Sequence, residues 1–289
     1  MSRAPQVLHI GKYFHPFAGG MENYLADLMV ALARRGVAGQ ALVHEDKLSL
    51  RGRDETVELR GVRLAISRAA TWARVLFTPL SPGFPLRLYR QLRTDPDLLH
   101  IHMPNVSAFW LLFLPKARRI PWVVHWHSDV VASPSRFGLR VFYNVYRPFE
   151  RALLRRAARI IATSPPYLDS SAPLADFRDR CIVHPLGLDP ARLADVPQRT
   201  PHDGERLRVL AVGRLTYYKG FQFLIEALDR LDNVHLDLVG EGDQLEELRR
   251  QVASLGLKDR VTFHGTANDR ELALQLARCD CLCLPSIER

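Results

Sequence analysis

The feature that most constrains this chain is a unit that recurs along it: a short apolar run, a turn carrying glycine, and an amphipathic helix. Its fullest version is RVLAVGRLTYYKGFQFLIEALDRL, Arg208 to Leu231. The run after Arg208 is short and apolar, as a strand buried on both faces of a sheet should be. Gly213 ends it, and Phe221, Leu224, Ile225 and Leu228 then recur at the spacing that lays one apolar stripe along a helix. Strands alternating with helices in this way predict an α/β fold built on parallel sheets.

In such sheets ligands lie beyond the carboxyl ends of the strands, so the loops there are the first candidates for chemistry. The loop after Gly213 holds Arg214 and Lys219 next to the free N–H groups of a helix start, an arrangement suited to gripping phosphate. Ordinary solvated charge in a βα loop is the plain alternative.

The same rhythm opens the chain. Val7 to Ile10 reads as a strand, followed by Gly11, Gly19 and Gly20 and a helix whose stripe is Met21, Tyr24, Leu25, Leu28 and Leu32. Backbone without Cβ at Gly19 and Gly20 lets an anionic ligand approach the N–H groups, although a plain turn also explains the pair. Glu45 to Arg60 reads as a surface loop leading to extended segments near Val57 to Ile66, and Arg87, Arg90 and Arg93 line a short helix from Pro85. Asp97 to Asn105 is a buried strand and loop, and Val106 to Leu114 an apolar helix. PWVVHWHSDV puts His127, Ser128 and Asp129 just past a strand's carboxyl end, and that location singles out His127 among the eleven histidines. A hydrogen bond to Asp129 is its plain alternative. The helix from Arg136 to Ala157 carries Arg147, Arg151, Arg155 and Arg156, either a solvated face or a docking patch for anionic head groups.

Further on, HLDLVGEGDQ ends in Gly240, Glu241 and Gly242, and VTFHG ends at His264 and Gly265. Cys279, Cys281 and Cys283 alternate along a last strand, share one face and cannot surround a tetrahedral metal, so they read as small buried residues. The polar, proline-bearing stretch ADVPQRTPHDGER has the composition of a linker. The expected division is therefore a first domain over 1–194, a linker over 195–206 and a second domain over 207–289. A chain of 289 residues with 47% hydrophobic residues can build both.

The formal net charge of +9 is uneven, with +12 in residues 1–200 and −3 in the remainder, which suggests an anionic partner. A peripheral membrane or polyanion-binding module without catalysis is one reading of that charge. No helix-turn-helix or RNA-binding pattern supports nucleic acid. No signal peptide or transmembrane run stands in the sequence, so a cytoplasmic location is expected.

Taken together and in order, FAGGMENYLADL, VVHWHSDV, GRLTYYKG, LVGEG and FHG resemble the retaining glycosyltransferases of family 4. The resemblance covers nearly the whole chain. It implies the GT-B fold, two Rossmann-like doubly wound domains facing each other across a cleft. It also implies a nucleoside-diphosphate sugar as donor, with a hexose transferred to an acceptor hydroxyl with retention of configuration. The acceptor would be a glycan or lipid-linked sugar of cell-envelope polysaccharide synthesis, and the basic first half suits an acceptor side that touches a lipid-linked sugar at the inner face of the plasma membrane.

Arg214 and Lys219 match the family's diphosphate-binding pair, and His127 its histidine near the transferred sugar. Gly19 and Gly20 match the loop near donor phosphate and acceptor, with Asp129 also on the acceptor side. Gly213, Glu241, Gly242 and His264 match loops around the donor. No DxD stands at a sheet edge, so no cofactor is expected and cationic side chains take the place of a divalent metal. The glutamate pair that follows LPS in the family has no complete counterpart, because Glu288 lacks its partner. The second domain thus reads as truncated at its C-terminus, and the chain as weak or inactive. A sugar-nucleotide epimerase of the same fold is the competing enzyme. A phosphorylase lacks a well-placed lysine, and a dehydrogenase lacks the GxGxxG fingerprint.

Overall fold

The computed structural model describes residues 3–17, 19–75, 78–130, 137–187, 197–198 and 206–287. The chain divides into two compact units, Met1–Leu188 and Asp189–Arg289. Most of the expected linker, and Glu288, lie outside the described residues.

The first unit runs β1 (Gln6–Ile10), α1 (Gly20–Arg34), β2 (Ala38–His44), β3 (Arg53–Leu59), β4 (Val62–Ala69), β5 (Ala73–Val75), β6 (Thr78–Leu80) and α2 (Phe84–Leu92). It continues with β7 (Leu98–Met103), β8 (Trp122–Trp126), α3 (Phe137–Arg156), β9 (Arg159–Ala162), α4 (Pro165–Ser170) and β10 (Cys181–Val183). Eight of these strands form one sheet in the order β10-β9-β8-β7-β1-β2-β4-β3, parallel except for β3 at its edge. Both faces of the central strands are covered: Leu8, Ile10, Leu99, Ile101, Trp122, Val124 and Trp126 are wholly enclosed on one, and His9, His100, His102 and His125 are buried on the other.

Three local expectations need correction. Arg53–Leu59 is a strand rather than loop, joined to β4 by a hairpin turn in which Arg60 and Gly61 have φ of 49° and 74°. Its sequence RDETVEL is charged because an edge strand faces water on one side, and that charge makes it read as a loop. The apolar segment Val106–Phe113 winds as a 3₁₀ helix, entered at Asn105, whose side chain accepts from the Ser107 amide. In α1 the buried face is Leu25, Ala26, Met29 and Val30, packed on Ala41, Val43, Leu64 and Ile66, with Leu28 and Leu32 only half-buried.

The second unit runs β11 (Leu207–Val212), α5 (Phe221–Leu228), β12 (Val234–Val239), α6 (Leu245–Ser254), β13 (Val261–Gly265), α7 (Asp269–Arg278) and β14 (Cys281–Leu282). Its four parallel strands take the order β13-β12-β11-β14. Phe221, Ile225 and Leu228 of α5 pack with Leu236, Leu238, Leu248 and Val252 in its core. Burying such a side chain is worth about 1.5–3 kcal/mol, so this stripe pins α5 and the loop that feeds it. The cysteine strand is short and peripheral: Cys281 is exposed and Cys279 and Cys283 half-buried, because β14 sits at the sheet edge.

Candidate functional site

In the second unit, the loops after three neighbouring strands are stitched to one another by main chain. Gly213 N–H donates to the Val239 carbonyl (3.0 Å), Leu215 N–H to Glu241 (2.9 Å), Gln244 N–H to Leu215 (3.0 Å) and Gly240 N–H to Gly265 (2.7 Å). Within this platform Leu215 is buried and leaves Arg214 exposed beside it. Lys219 closes the short 3₁₀ turn Tyr217–Lys219, with its ammonium 5.6 Å from the centre of the Tyr218 ring. Its stem runs back past the strand end, since a Cβ on Gly213 would stand 4.0 Å from Lys219 Cδ. Arg214 and Lys219 thus belong to one strand end, and among the described residues no carboxylate pairs with either.

Two glycines have structural reasons of their own. Gly220 adopts φ +72°, and a Cβ there would stand 2.0 Å from the Pro285 carbonyl oxygen. A Cβ on Gly242 would meet the Leu215 carbonyl at 2.2 Å, so close backbone approach already requires glycine there. Glu241 has an exposed side chain and serves the platform through its carbonyl. His264 is oriented from below: its Nε2 lies 2.7 Å from Oδ1 of buried Asp237, whose Oδ2 accepts from Arg208 Nη2 at 2.7 Å. Burial alone would raise Asp237, but the His264 and Arg208 hydrogen bonds outweigh it and hold the carboxyl below its ordinary range.

The first unit presents different chemistry. His127 is the first residue past β8, tied by its amide to the Met103 carbonyl at 3.0 Å. Its Nε2 faces Nδ1 of His102 at 3.1 Å. The expected partner Asp129 is engaged elsewhere: its Oδ1 accepts from Trp126 Nε1 (2.7 Å), Tyr167 Oη (2.6 Å) and Ser171 Oγ (2.8 Å). The hydrogen bond from His127 to Asp129 is therefore replaced by one within a histidine ladder.

That ladder was not legible from His127 alone. His9 on β1, His100 and His102 on β7, and His125 on β8 are all buried on neighbouring strands, with His9 paired to His100 and His102 to His125 in register. His125 stacks on His127 at 4.4 Å and 13°, and Tyr24 of α1 lies 4.7 Å from His125 and 5.5 Å from His127. Burial first, then the neighbouring His125, hold the His127 ring down to about 3, so it is neutral at neutral pH. Burial likewise lowers His9 to about 3 and His125 to about 4, and pushes His100 and His102 well below the ordinary value. The usable sequence signal is H-x-H in each of two strands: a period of two puts both rings on one face.

Gly19 is the residue before α1, and a Cβ there would crowd the Glu22 carboxylate. Gly20 is different. Its Cβ would have nothing within 4 Å, so packing among the described residues does not impose glycine there.

Residues 19–187 match the glycosyl transferase 4-like domain and residues 194–288 the glycosyl transferases group 1 family. The chain is 30% identical to O-antigen chain mannosyltransferase C of Escherichia coli over 97% of its own length and 72% of that protein. It is also 30% identical to D-rhamnosyltransferase WbpZ of Pseudomonas aeruginosa, over 97% of this chain and 71% of the relative. Among solved structures, sucrose-phosphate synthase of Thermosynechococcus elongatus superposes with a TM-score of 0.72 at 21% identity, covering 98% of this chain and 75% of that one. HepE of Anabaena, solved with UDP and glucose, gives 0.66 at 20% identity over 98% and 74%. These likenesses give the fold as GT-B. With both units matched across nearly the whole sequence, the chain belongs to the group 1 glycosyltransferase family.

Proposed function

We propose that the chain is a retaining transferase that moves a hexose from a nucleoside-diphosphate sugar to an acceptor hydroxyl. The observation that carries this reading is the pairing of Arg214 and Lys219 at one strand end, on a main-chain platform made by three loops. Breaking the bond to a nucleoside diphosphate builds negative charge on the leaving phosphate. Fixed cations stabilise that charge most as it develops, and so lower the barrier rather than merely tightening binding. On this reading Gly213, Glu241, Gly242 and His264 border the nucleotide, His127 serves the transferred sugar, Gly19 and Gly20 approach the donor phosphate, and Gly20 and Asp129 serve the acceptor side. The open space beside Gly20 supports its part, since a ligand can come against backbone there. The two cations do the work of a divalent metal, so turnover should survive EDTA.

The acceptor we favour carries a lipid. Phe109, Trp110, Phe113, Val145, Tyr146 and Phe149 line an apolar groove of about 400 Å³ between the 3₁₀ segment and α3, with Trp110, Phe113 and Val145 exposed at its mouth. An apolar tail at the inner face of the plasma membrane fits that lining better than a free glycan does. Among the described residues no helix is long and apolar enough to cross a membrane.

The test is nucleoside diphosphate release from UDP-glucose, UDP-galactose and GDP-mannose, with and without EDTA and with a polyprenyl-linked sugar in vesicles. Stimulated release by one donor, and an axial or equatorial product linkage that matches the donor anomer on NMR, support the proposal. Failure of every donor to bind, or an inverted product, would sink it.

A further inference from the structure

The histidine ladder contains more polar atoms than its hydrogen bonds use. Both ring nitrogens of His9 and of His125, and Nε2 of His100 and His102, are enclosed with no hydrogen-bond partner among the described residues. Leaving a buried polar group unpaired costs about 1–3 kcal/mol, so such a cluster is expensive for a fold to keep as mere packing. Its one polar contact between rings is His102 Nδ1 to His127 Nε2.

A shared metal ion is the first explanation to weigh, because one nitrogen from each of His102, His125 and His127 lies within 4.8 Å of the others, as do nitrogens of His9, His100 and His102. Geometry argues against it for the His102–His127 pair. The ring centres are 5.4 Å apart and the planes differ by 18°, so with nitrogens at 3.1 Å the rings meet edge to edge. An ion on that line would sit about 1.6 Å from each nitrogen, inside the roughly 2.0–2.1 Å of a zinc–imidazole bond. A hydrogen bond at that distance is ordinary.

One ring must then donate and the other accept, and the surroundings decide which. If His127 donated through Nε2, His102 would carry its proton on Nε2, an enclosed atom with no acceptor. His9 and His125 each already carry one such orphaned N–H, and a third at His102 Nε2 would add to that cost, whereas an under-used acceptor there costs less, so the proton belongs on His102 Nδ1. We infer that His102 is a positioning residue that locks His127 in the Nδ1–H tautomer. The locked ring then offers Nδ1–H, the nitrogen with no protein partner among the described residues, as a hydrogen-bond donor. What it donates to, on the functional reading above, is a hydroxyl or ring oxygen of the sugar. Burial keeps the ring neutral, so its Nε2 lone pair stays available to His102 and the lock holds at every pH above the low values that burial imposes.

The inference rests on the proposed function only for its consequence, and the experiment separates the two. The protein, labelled with ¹⁵N-histidine, is read by NMR through two-bond couplings, which distinguish Nδ1–H, Nε2–H and doubly protonated rings without any ligand. His127 in the Nδ1–H form supports the inference; His127 in the Nε2–H form overturns it. His102→Leu should shift His127 toward Nε2–H or a mixture, whereas His102→Asn, which keeps an N–H near the Nδ1 position, should preserve Nδ1–H. An unchanged tautomer in His102→Leu overturns the inference. If that variant does not fold, the wild-type and His102→Asn spectra still decide.

With whichever of UDP-glucose, UDP-galactose or GDP-mannose is turned over, His102→Leu should lower kcat about tenfold, the weight of one hydrogen bond, with KM changed little. His102→Asn should recover most of it. Equal kcat losses in both variants overturn the positioning role. A transition metal bound one to one in the purified chain does so as well. Failure of every donor to bind counts against the transferase reading and leaves the tautomer result standing.

Discussion

The two units solve the same problem, presenting groups at the carboxyl end of a parallel sheet, in opposite ways. In the second unit the loops are tied together by backbone, and the charged side chains Arg214 and Lys219 stand above them. In the first, the chemistry sits lower, in buried neutral rings that reach back along three strands and emerge only at His127. The difference follows from what each group needs. A guanidinium or ammonium keeps its charge most cheaply near water, so it belongs on a loop. An imidazole meant to stay neutral gains from burial, and the strands supply it.

The comparison breaks most visibly if the cations are removed. Arg214→Ala and Lys219→Ala should each lower turnover by about 10²–10³, the cost of deleting one fixed group that stabilises transition-state charge. Steady-state kinetics check this, and losses no larger than those of an exposed arginine elsewhere would remove the clamp.

The platform itself comes next. Gly220→Ala adds a Cβ 2.0 Å from the Pro285 carbonyl oxygen at φ +72° and should destabilise the second unit by about 1–3 kcal/mol, read from its denaturant midpoint. A midpoint that stays put would mean the loop yields without strain.

Acid should then separate the units. His9, His44, His100, His102, His125 and His127 all have values lowered on folding, His9, His44 and His127 to about 3. The unfolded chain therefore binds more protons, and the stability they contribute is present above about pH 6.5 and lost as pH falls toward 3. Glu150 opposes them: burial first, then Asp129, raises it to about 7, so its contribution grows as pH drops from 7 toward 4.5. Six groups outweigh one. Among the described residues the second unit has a single such histidine, half-buried His235, also lowered by burial, and its Asp237 is lowered, so that carboxylate's contribution is kept until pH falls below the ordinary carboxylate value. Two calorimetric transitions are expected, with the first unit's falling between pH 6 and 4 by more than the second unit's, which has one lowered histidine against six; a parallel decline would erase the contrast.

The smallest effect sharpens the rest. Arg90→Ala, on the exposed side of α2, should leave both turnover and melting temperature nearly unchanged, within about 0.5 kcal/mol of stability. Measured in the same assays, it sets the background against which the Arg214 and Lys219 losses are judged.

Period and punctuation in the sequence were enough for the alternation of strands and helices, the stripe Phe221, Ile225 and Leu228, and the glycine-marked loops. These are local properties: apolar spacing and turn chemistry act within a few residues. The family followed from five such segments in order. The edge strand Arg53–Leu59 and the 3₁₀ winding of Val106–Phe113 were not legible, because pairing across a hairpin and entry geometry at Asn105 outweighed propensity. The ladder was decided wholly by tertiary structure. His9, His100 and His125 are as much as 116 residues apart, and only parallel pairing in register puts them side by side. Likewise the sequence names Arg214, but the main-chain bonds from Leu215 to Glu241 and from Gln244 to Leu215 are what hold it at a built strand end. Short-range steric and hydrophobic preferences are written residue by residue; which distant groups share a dry, hydrogen-bonded volume is settled when the strands choose their neighbours.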